Sequence, residues 1–352
     1  MKNSNTYMDL EGTLHFIENV HKLMEVYGSD KYNISYFGGE PLMNWGLIEK
    51  SAPLFKQDPR CEHQIIISNG LLLDENKINF IKENEIGFSF SFDGLWQNKN
   101  RPHVSHEDVF SLYMKKIPLV KKLVGNGGGK VMVSPSNIDT MTENFEFFVN
   151  EIGAYFPDFS LVRDDIWSED DVKRFKVESR RLADRIVKYY EDGKAVFVGF
   201  FGLHLIDSIL GYNKGKRPFG CFAGCSGVGY MPDKQFYLCA RYGSGDSDKS
   251  GLIMDVNGNL NHDLINKYLD PNIHNPKCYE ECKACDLYKF CNAGCTYSQT
   301  REDEQGNITA KPVKNVCELY HIIQDDVFYL HDKLKDNKLY IDCMVNRYGK
   351  YF

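Results

Sequence analysis

The sequence predicts an α/β protein: a parallel sheet covered by helices, followed by a loop-rich domain crowded with cysteines. Three observations carry this. Short apolar stretches rich in β-branched and aromatic residues alternate with helical patterns through the first half of the chain. Glycine or asparagine closes several of those stretches, in FGGE, SNG, FDG and SPSN. Nine of the eleven cysteines fall between Cys221 and Cys317.

Taken in order, the expected strands are Asn33–Phe37, Gln64–Ser68, Ile86–Phe92, Lys130–Ser134 and Phe159–Val162. The expected helices are Leu10–Tyr27, Trp45–Leu54, Glu75–Glu83, Val109–Leu123 and Asn144–Ile152. Near-continuous apolar strands separated by helices belong to parallel sheets, whose ligands bind at the C-terminal strand ends. The glycines Gly127–Gly129 precede a strand, so they read as a turn and not as a phosphate loop. Glu169–Glu191, rich in Lys, Arg and Asp, reads as a helix with a solvated face. Composition changes near Gly211–Gly220, and Glu318–Lys335 reads as a closing helix.

The bulk numbers exclude several classes. With 352 residues, 42% hydrophobic and 13% aromatic, the chain has the means to build real cores and disorder is not expected. A net charge of -7 argues against nucleic acid as the main partner. No apolar run reaches the roughly 18 residues of a membrane helix, and MKNSNTYMDLEG has no export signature, so a cytoplasmic location is expected.

Clustered cysteines in a long chain without an export signal point to metal. One group is Cys282-x2-Cys285-x5-Cys291-x3-Cys295, with Cys317 further on; another is Cys221-x3-Cys225-x13-Cys239. A CxxC turn presents two sulfurs to one centre, and distant cysteines close the shell. Zinc accepts similar spacings, so spacing alone leaves zinc and iron–sulfur both open.

CFAG at 221–224, YMPDKQFYLC ending at Cys239, and CKACDLYKFCNAGC at 282–295 resemble the SPASM domain of radical S-adenosylmethionine (SAM) enzymes. Lys234 stands where that pattern has a glycine, at a turn. The resemblance implies two auxiliary [4Fe–4S] clusters, one held by Cys221, Cys225, Cys239 and Cys295, the other by Cys282, Cys285, Cys291 and Cys317. Cys61, Cys278 and Cys343 are left as ordinary thiols.

The first half resembles the same family. FGGEP at 37–41, ISNGLLL at 67–73, SFSFDG at 89–94 and QNKNR ending at Arg101 stand in the family's order. This implies a SAM cofactor, with Gly38, Gly39 and Glu40 at its amine and Ser68, Asn69, Ser91 and Asp93 along its ribose or carboxylate side. Strand-end capping is the rival reading of Ser68, Ser91 and Asp93. His103, His106 and His204 are acid–base candidates only in principle, because lone histidines are commonly plain polar residues.

The implied fold is a partial (β/α)6 barrel over residues 1–210 lacking its first strand, a SPASM domain over 211–320 and a tail over 321–352. The family's CxxxCxxC, which binds the radical-generating cluster, belongs upstream of FGGEP, and no cysteine precedes Cys61. Cys278-x3-Cys282-x2-Cys285 matches that motif in the wrong place. The chain is therefore expected to be a fragment or a degenerate relative, unable as written to cleave SAM reductively. The implied function is an oxidoreductase that modifies a peptide or protein by hydrogen-atom abstraction, served by a flavodoxin- or ferredoxin-type donor. Ala240 and Arg241 follow Cys239 where sulfatase-maturing relatives carry an aspartate, which points away from that subclass. The alternative is a non-catalytic iron–sulfur protein that binds a peptide or transfers electrons.

Overall fold

The computed structural model of the chain describes residues 7–102, 108–163, 166–202, 209, 223–224, 227–244, 251–269, 280–288, 291, 295–302, 308–310 and 313–348. The α/β part runs α1 (Leu10–Tyr27), β1 (Tyr32–Tyr36), α2 (Trp45–Gln57), β2 (Cys61–Ser68), α3 (Glu75–Glu83), β3 (Gly87–Phe90), α4 (Gln97–Asn100) and α5 (Val109–Val124). It continues with β4 (Gly127–Val133), α6 (Met141–Phe147), β5 (Phe156–Leu161) and α7 (Glu169–Glu191). Shorter elements follow: β6 (Gly229–Tyr230), β7 (Phe236–Tyr237), α8 (Ala240–Ser244), β8 (Leu252–Met254), α9 (His262–Leu269), α10 (Glu280–Lys283), α11 (Thr296–Gln299), β9 (Thr300–Glu302) and β10 (Ile308–Ala310). Two helices close the chain, α12 (Lys314–Leu334) and α13 (Lys338–Tyr348). Among the described residues no helix is long and apolar enough to cross a membrane.

The chain forms two compact units that interleave along the sequence. The first comprises residues 1–89, 219–279 and 295–311, the second 90–218, 280–294 and 312–352. The motif-based division at 210 and 320 follows the order of the sequence, whereas these units cross it, and the Gly211–Gly220 stretch lies outside the described residues.

In the first unit, β1, β2 and β3 form one sheet, with β1 and β2 parallel and Tyr36 opposite Ile66. Helix α1 begins where the Asp9 carboxylate accepts the Gly12 N–H at 2.7 Å, and ends at Gly28 with φ 62°. Its buried face serves two cores. Val20 and Met24 pack with Tyr32 and Phe55, while Leu23 joins Phe236, Leu238, Ile253, Met254, Ile265 and Tyr268 of the antiparallel β6-β7-β8 sheet and α9.

In the second unit, β4 and β5 pair in parallel. Gly127–Gly129 belong to β4, which corrects the turn expected there. A Cβ on Gly128 would lie 2.2 Å from Pro157 Cα, and one on Gly129 would lie 3.1 Å from Phe92. Close approach at Gly128 and Gly129 accompanies a register irregularity between Gly127 and Lys130, both of which suit glycine. Helix α7 starts in a capping box between Ser168 and Asp171 and runs against α12. Buried Asp326 of α12 accepts from Ser179 Oγ at 2.5 Å and Arg180 Nε at 2.6 Å.

Candidate functional site

The strand-end cradle is built by two parallel neighbours. Because β1 and β2 run the same way, Gly38–Glu40, after β1, and Ser68–Gly70, at the end of β2, come at one edge of the sheet. The half-buried Glu40 carboxylate takes three hydrogen bonds: Leu42 N–H at 3.0 Å and Ser68 Oγ at 2.7 Å on Oε1, and Asn69 N–H at 2.9 Å on Oε2. Ser68 Oγ also accepts from Gly70 N–H at 2.9 Å, and Asn69 Oδ1 accepts from Leu71 N–H at 3.0 Å. Ser68 is thus engaged in holding Glu40 and the turn. The carboxylate keeps one acceptor direction, on Oε2, and a Cβ added to Gly38 or Gly39 would meet nothing within 4 Å. Packing does not require those glycines, but Gly38, at φ 156°, holds a backbone conformation that favours glycine. The bare backbone and the open Oε2 direction would fit the amine of SAM.

The other two residues expected near SAM lie in the second unit. Half-buried Ser91 forms a parallel bridge with Lys130. Fully buried Asp93 accepts from Met132 N–H at 2.7 Å and from Arg101 Nε at 2.7 Å, while its backbone carbonyl accepts from Asn144 Nδ2 at 3.0 Å. Both carboxylate oxygens are engaged inside that unit, so Asp93 and Arg101, the two ends of the FDG-to-QNKNR stretch, form a structural clip.

The cysteines divide by unit. Cys239 and Cys295 are half-buried in the first, and Cys221 and Cys225 lie outside the described residues. Two residues after Cys239, Arg241 Nη1 donates to Cys295 Sγ at 3.2 Å and to Ser298 Oγ at 2.9 Å. Burial pushes the Cys295 thiol up, but hydrogen bonds from the Ser298 hydroxyl and backbone N–H, with the Arg241 charge, outweigh it and leave the group below its ordinary value.

Cys282, Cys285, Cys291 and Cys317 are all half-buried in the second unit. A turn links the first pair, with Cys285 N–H on Cys282 O at 3.1 Å; Cys291 N–H meets Leu287 O at 2.7 Å, and Cys317 rides the first turn of α12. Burial first, then the thiols of Cys291, Cys282 and Cys285, push Cys317 up to about 11. The Cys291, Cys282 and Cys285 thiols thus lie within electrostatic reach of Cys317. Among the described residues no three His, Cys, Asp or Glu side chains gather as a single ion requires.

Sequence reasoning missed Arg241 and Ser298 as contacts of Cys295, and His321, whose Nε2 lies 3.4 Å from Cys285 Sγ. His321 had a signal: it follows Cys317 by one helical turn, as Cys317-x3-His321. His103, His106, His204 and Cys278 lie outside the described residues. Cys61 opens β2 and Cys343 lies on α13, apart from both groups in sequence.

No family model matches the chain. It is 23% identical over 326 residues to the radical SAM cyclopropyl synthase TigE of Paramaledivibacter caminithermalis, covering 91% of this chain and 65% of that protein. The chain thus spans less than two thirds of that relative's length. It is 24% identical over 286 residues to the cysteine-type anaerobic sulfatase-maturating enzyme of Clostridium perfringens strain 13, covering 75% and 73% of the two chains. Its fold matches the solved hexahistidine-tagged anSMEcpe with bound AdoMet at a TM-score of 0.74, 18% identity, and 99% and 92% coverage. Native anSMEcpe with AdoMet and the Kp18Cys peptide matches at a TM-score of 0.70 and 19% identity over 94% and 91% of the chains.

Proposed function

The chain is a homologue of the radical SAM maturases, and on that premise we propose that it belongs to a SAM-dependent iron–sulfur oxidoreductase that modifies a peptide or protein by hydrogen-atom abstraction. In this reading residues 1–210 carry a partial radical SAM barrel and 211–320 a SPASM domain. The observation that carries the proposal is the Glu40 carboxylate, fixed by Leu42, Ser68 and Asn69 beside two bare glycines.

SAM beside a reduced [4Fe–4S] cluster supplies one-electron, hydrogen-abstracting chemistry, and the protein's work is to bind and orient. Glu40 Oε2 would accept from the SAM ammonium, and Gly38 and Gly39 would leave room for its amino-acid end. Ser68 and Asn69 keep the carboxylate from turning away. Cys221, Cys225, Cys239 and Cys295 hold one auxiliary [4Fe–4S] cluster; Cys282, Cys285, Cys291 and Cys317 hold the second. A flavodoxin- or ferredoxin-type protein supplies electrons. A peptide substrate is supported by the sulfatase-maturating relatives and by the peptide-bound anSMEcpe structures.

The test is iron and acid-labile sulfide per chain after anaerobic reconstitution. A polypeptide of these 352 residues has no CxxxCxxC upstream of FGGEP, so two cubes are expected, about eight iron and eight sulfide per chain, with no 5′-deoxyadenosine formed from SAM and a chemical reductant. Zinc without sulfide would overturn the cluster assignment.

A further inference from the structure

We propose that Arg241 is a positioning residue for the cluster of the first unit: its guanidinium orients Cys295 Sγ and raises that cluster's reduction potential. The inference rests on the auxiliary-cluster reading and adds to it a residue whose action is on the cluster and not on substrate.

The geometry is specific. One nitrogen, Nη1, donates both to Cys295 Sγ at 3.2 Å and to Ser298 Oγ at 2.9 Å. The guanidinium carbon lies 4.7 Å from the centroid of the Tyr297 ring. Tyr242 meets Tyr297 edge-on, with centroids 5.0 Å apart and planes at 89°, and the Tyr242 and Tyr268 hydroxyls are 2.9 Å apart. Glycines make room for this brace. A Cβ on Gly251 would fall 2.6 Å from Tyr242 Cβ, and one on Gly224 would fall 3.0 Å from Tyr268 Cβ. The guanidinium is therefore held by a ring stack and two hydrogen bonds, which suits arginine's planar fork and not the single point charge of lysine.

The direction of the effect follows from charge. Four thiolates make the cluster anionic, and reduction adds one more negative charge. A fixed cation and an N–H donor at a ligand sulfur stabilise the reduced form more than the oxidised form, so they raise the potential. Cys295 is half-buried, where salt screens the interaction less than at an open surface.

The experiment is an EPR-monitored redox titration of the reconstituted chain, comparing wild type, R241Q, R241K and Y297L, with iron and sulfide counted for each. The wild type is expected to show two one-electron waves. In R241Q one wave moves to lower potential by at least tenfold in the oxidised-to-reduced ratio, about 59 mV for one electron. R241K, which keeps the charge but not the stack, moves the same wave less. Y297L, which loosens the brace, moves it in the same direction. The other wave, from the second unit's cysteines, stays in place and serves as the internal control. Two unmoved waves in R241Q and R241K, or two waves that move together, overturn the proposal. If R241Q fails to assemble its cluster, R241K decides by the same criterion. A wild type without iron and sulfide is a separate result: it removes the cluster reading itself, before Arg241 is tested.

Discussion

Glu40→Gln separates the two tasks of the strand-end cradle. Glu40 Oε1 accepts from Leu42 N–H and Ser68 Oγ, and Oε2 accepts from Asn69 N–H. Glutamine keeps the shape but replaces one oxygen with an amino group. With that group at the Oε2 position, it faces the Asn69 N–H and an incoming ammonium, both donors. At the Oε1 position it faces the Leu42 N–H. In either orientation a backbone donor loses its acceptor, which costs about 1–3 kcal/mol of stability. The ligand meanwhile loses a hydrogen bond to a charged acceptor, worth roughly 1.5–3 kcal/mol. At about 1.4 kcal/mol per decade, SAM affinity falls roughly 10- to 100-fold. Equilibrium dialysis with labelled SAM on the reconstituted chain reads the second effect, and urea denaturation reads the first. Lowered stability with unchanged SAM affinity would make Glu40 a turn clamp only and would refute the ligand argument. No change in either would refute the hydrogen-bond reasoning as well.

Four further outcomes follow from the same geometry. Lys234 holds φ 61° at the position where the cysteine pattern has a glycine, so Lys234→Gly should raise the urea midpoint despite losing the exposed Lys234–Glu11 pair. Gly94 has φ 62°, and a Cβ there would lie 2.3 Å from Asn144 Oδ1 and 2.6 Å from Phe148, so Gly94→Ala should destabilise by about 2–4 kcal/mol in chemical denaturation. Cys291→Ala and Cys295→Ala should each reduce iron from about eight to about four per chain, and the double variant should hold none, by metal analysis. Burial, against the opposing bonds from Ser179 and Arg180, lifts Asp326 above its ordinary value; the folded state then binds the proton more tightly than the unfolded one. Its unfavourable contribution is full at neutral pH and is relieved as pH falls through the folded-state value. Ser179→Ala removes a bond to the ionised form, so it should cost about 1–3 kcal/mol at pH 7 and less on acidification, measured by denaturation across pH.

Local chemistry made much of the fold legible. Helices α1, α3 and α7 begin and end where the sequence predicts, because Asp9, Asp74 and Ser168 cap them with side chains written immediately before the apolar pattern. The long helix α12 begins earlier than expected, at Lys314, which takes Cys317 into the helix instead of a loop. The role of Gly128 and Gly129 is not written locally: Pro157 and Phe92, distant in sequence, press against β4. Arg241 was opaque for the same reason, since its meaning depends on a sulfur 54 residues away.

The strand-end motifs show where a sequence stops being informative about a site. FGGE and SNG occur in an order that suggests two separate contacts with one ligand. The parallel pairing of β1 and β2, Tyr36 opposite Ile66, sets the two turns side by side instead, and Ser68 and Asn69 bond to Glu40. A hydroxyl aimed at a ligand and one that holds a neighbouring carboxylate are written identically in sequence, at the same strand end and after the same apolar run. Only the 2.7 Å from Ser68 Oγ to Glu40 Oε1 distinguishes them. The consequence is an ordering of effects: removing the Ser68 hydroxyl should act on SAM through the orientation of Glu40. Its effect on affinity should therefore shrink once Glu40 has been replaced, the non-additivity that a double-mutant cycle measures.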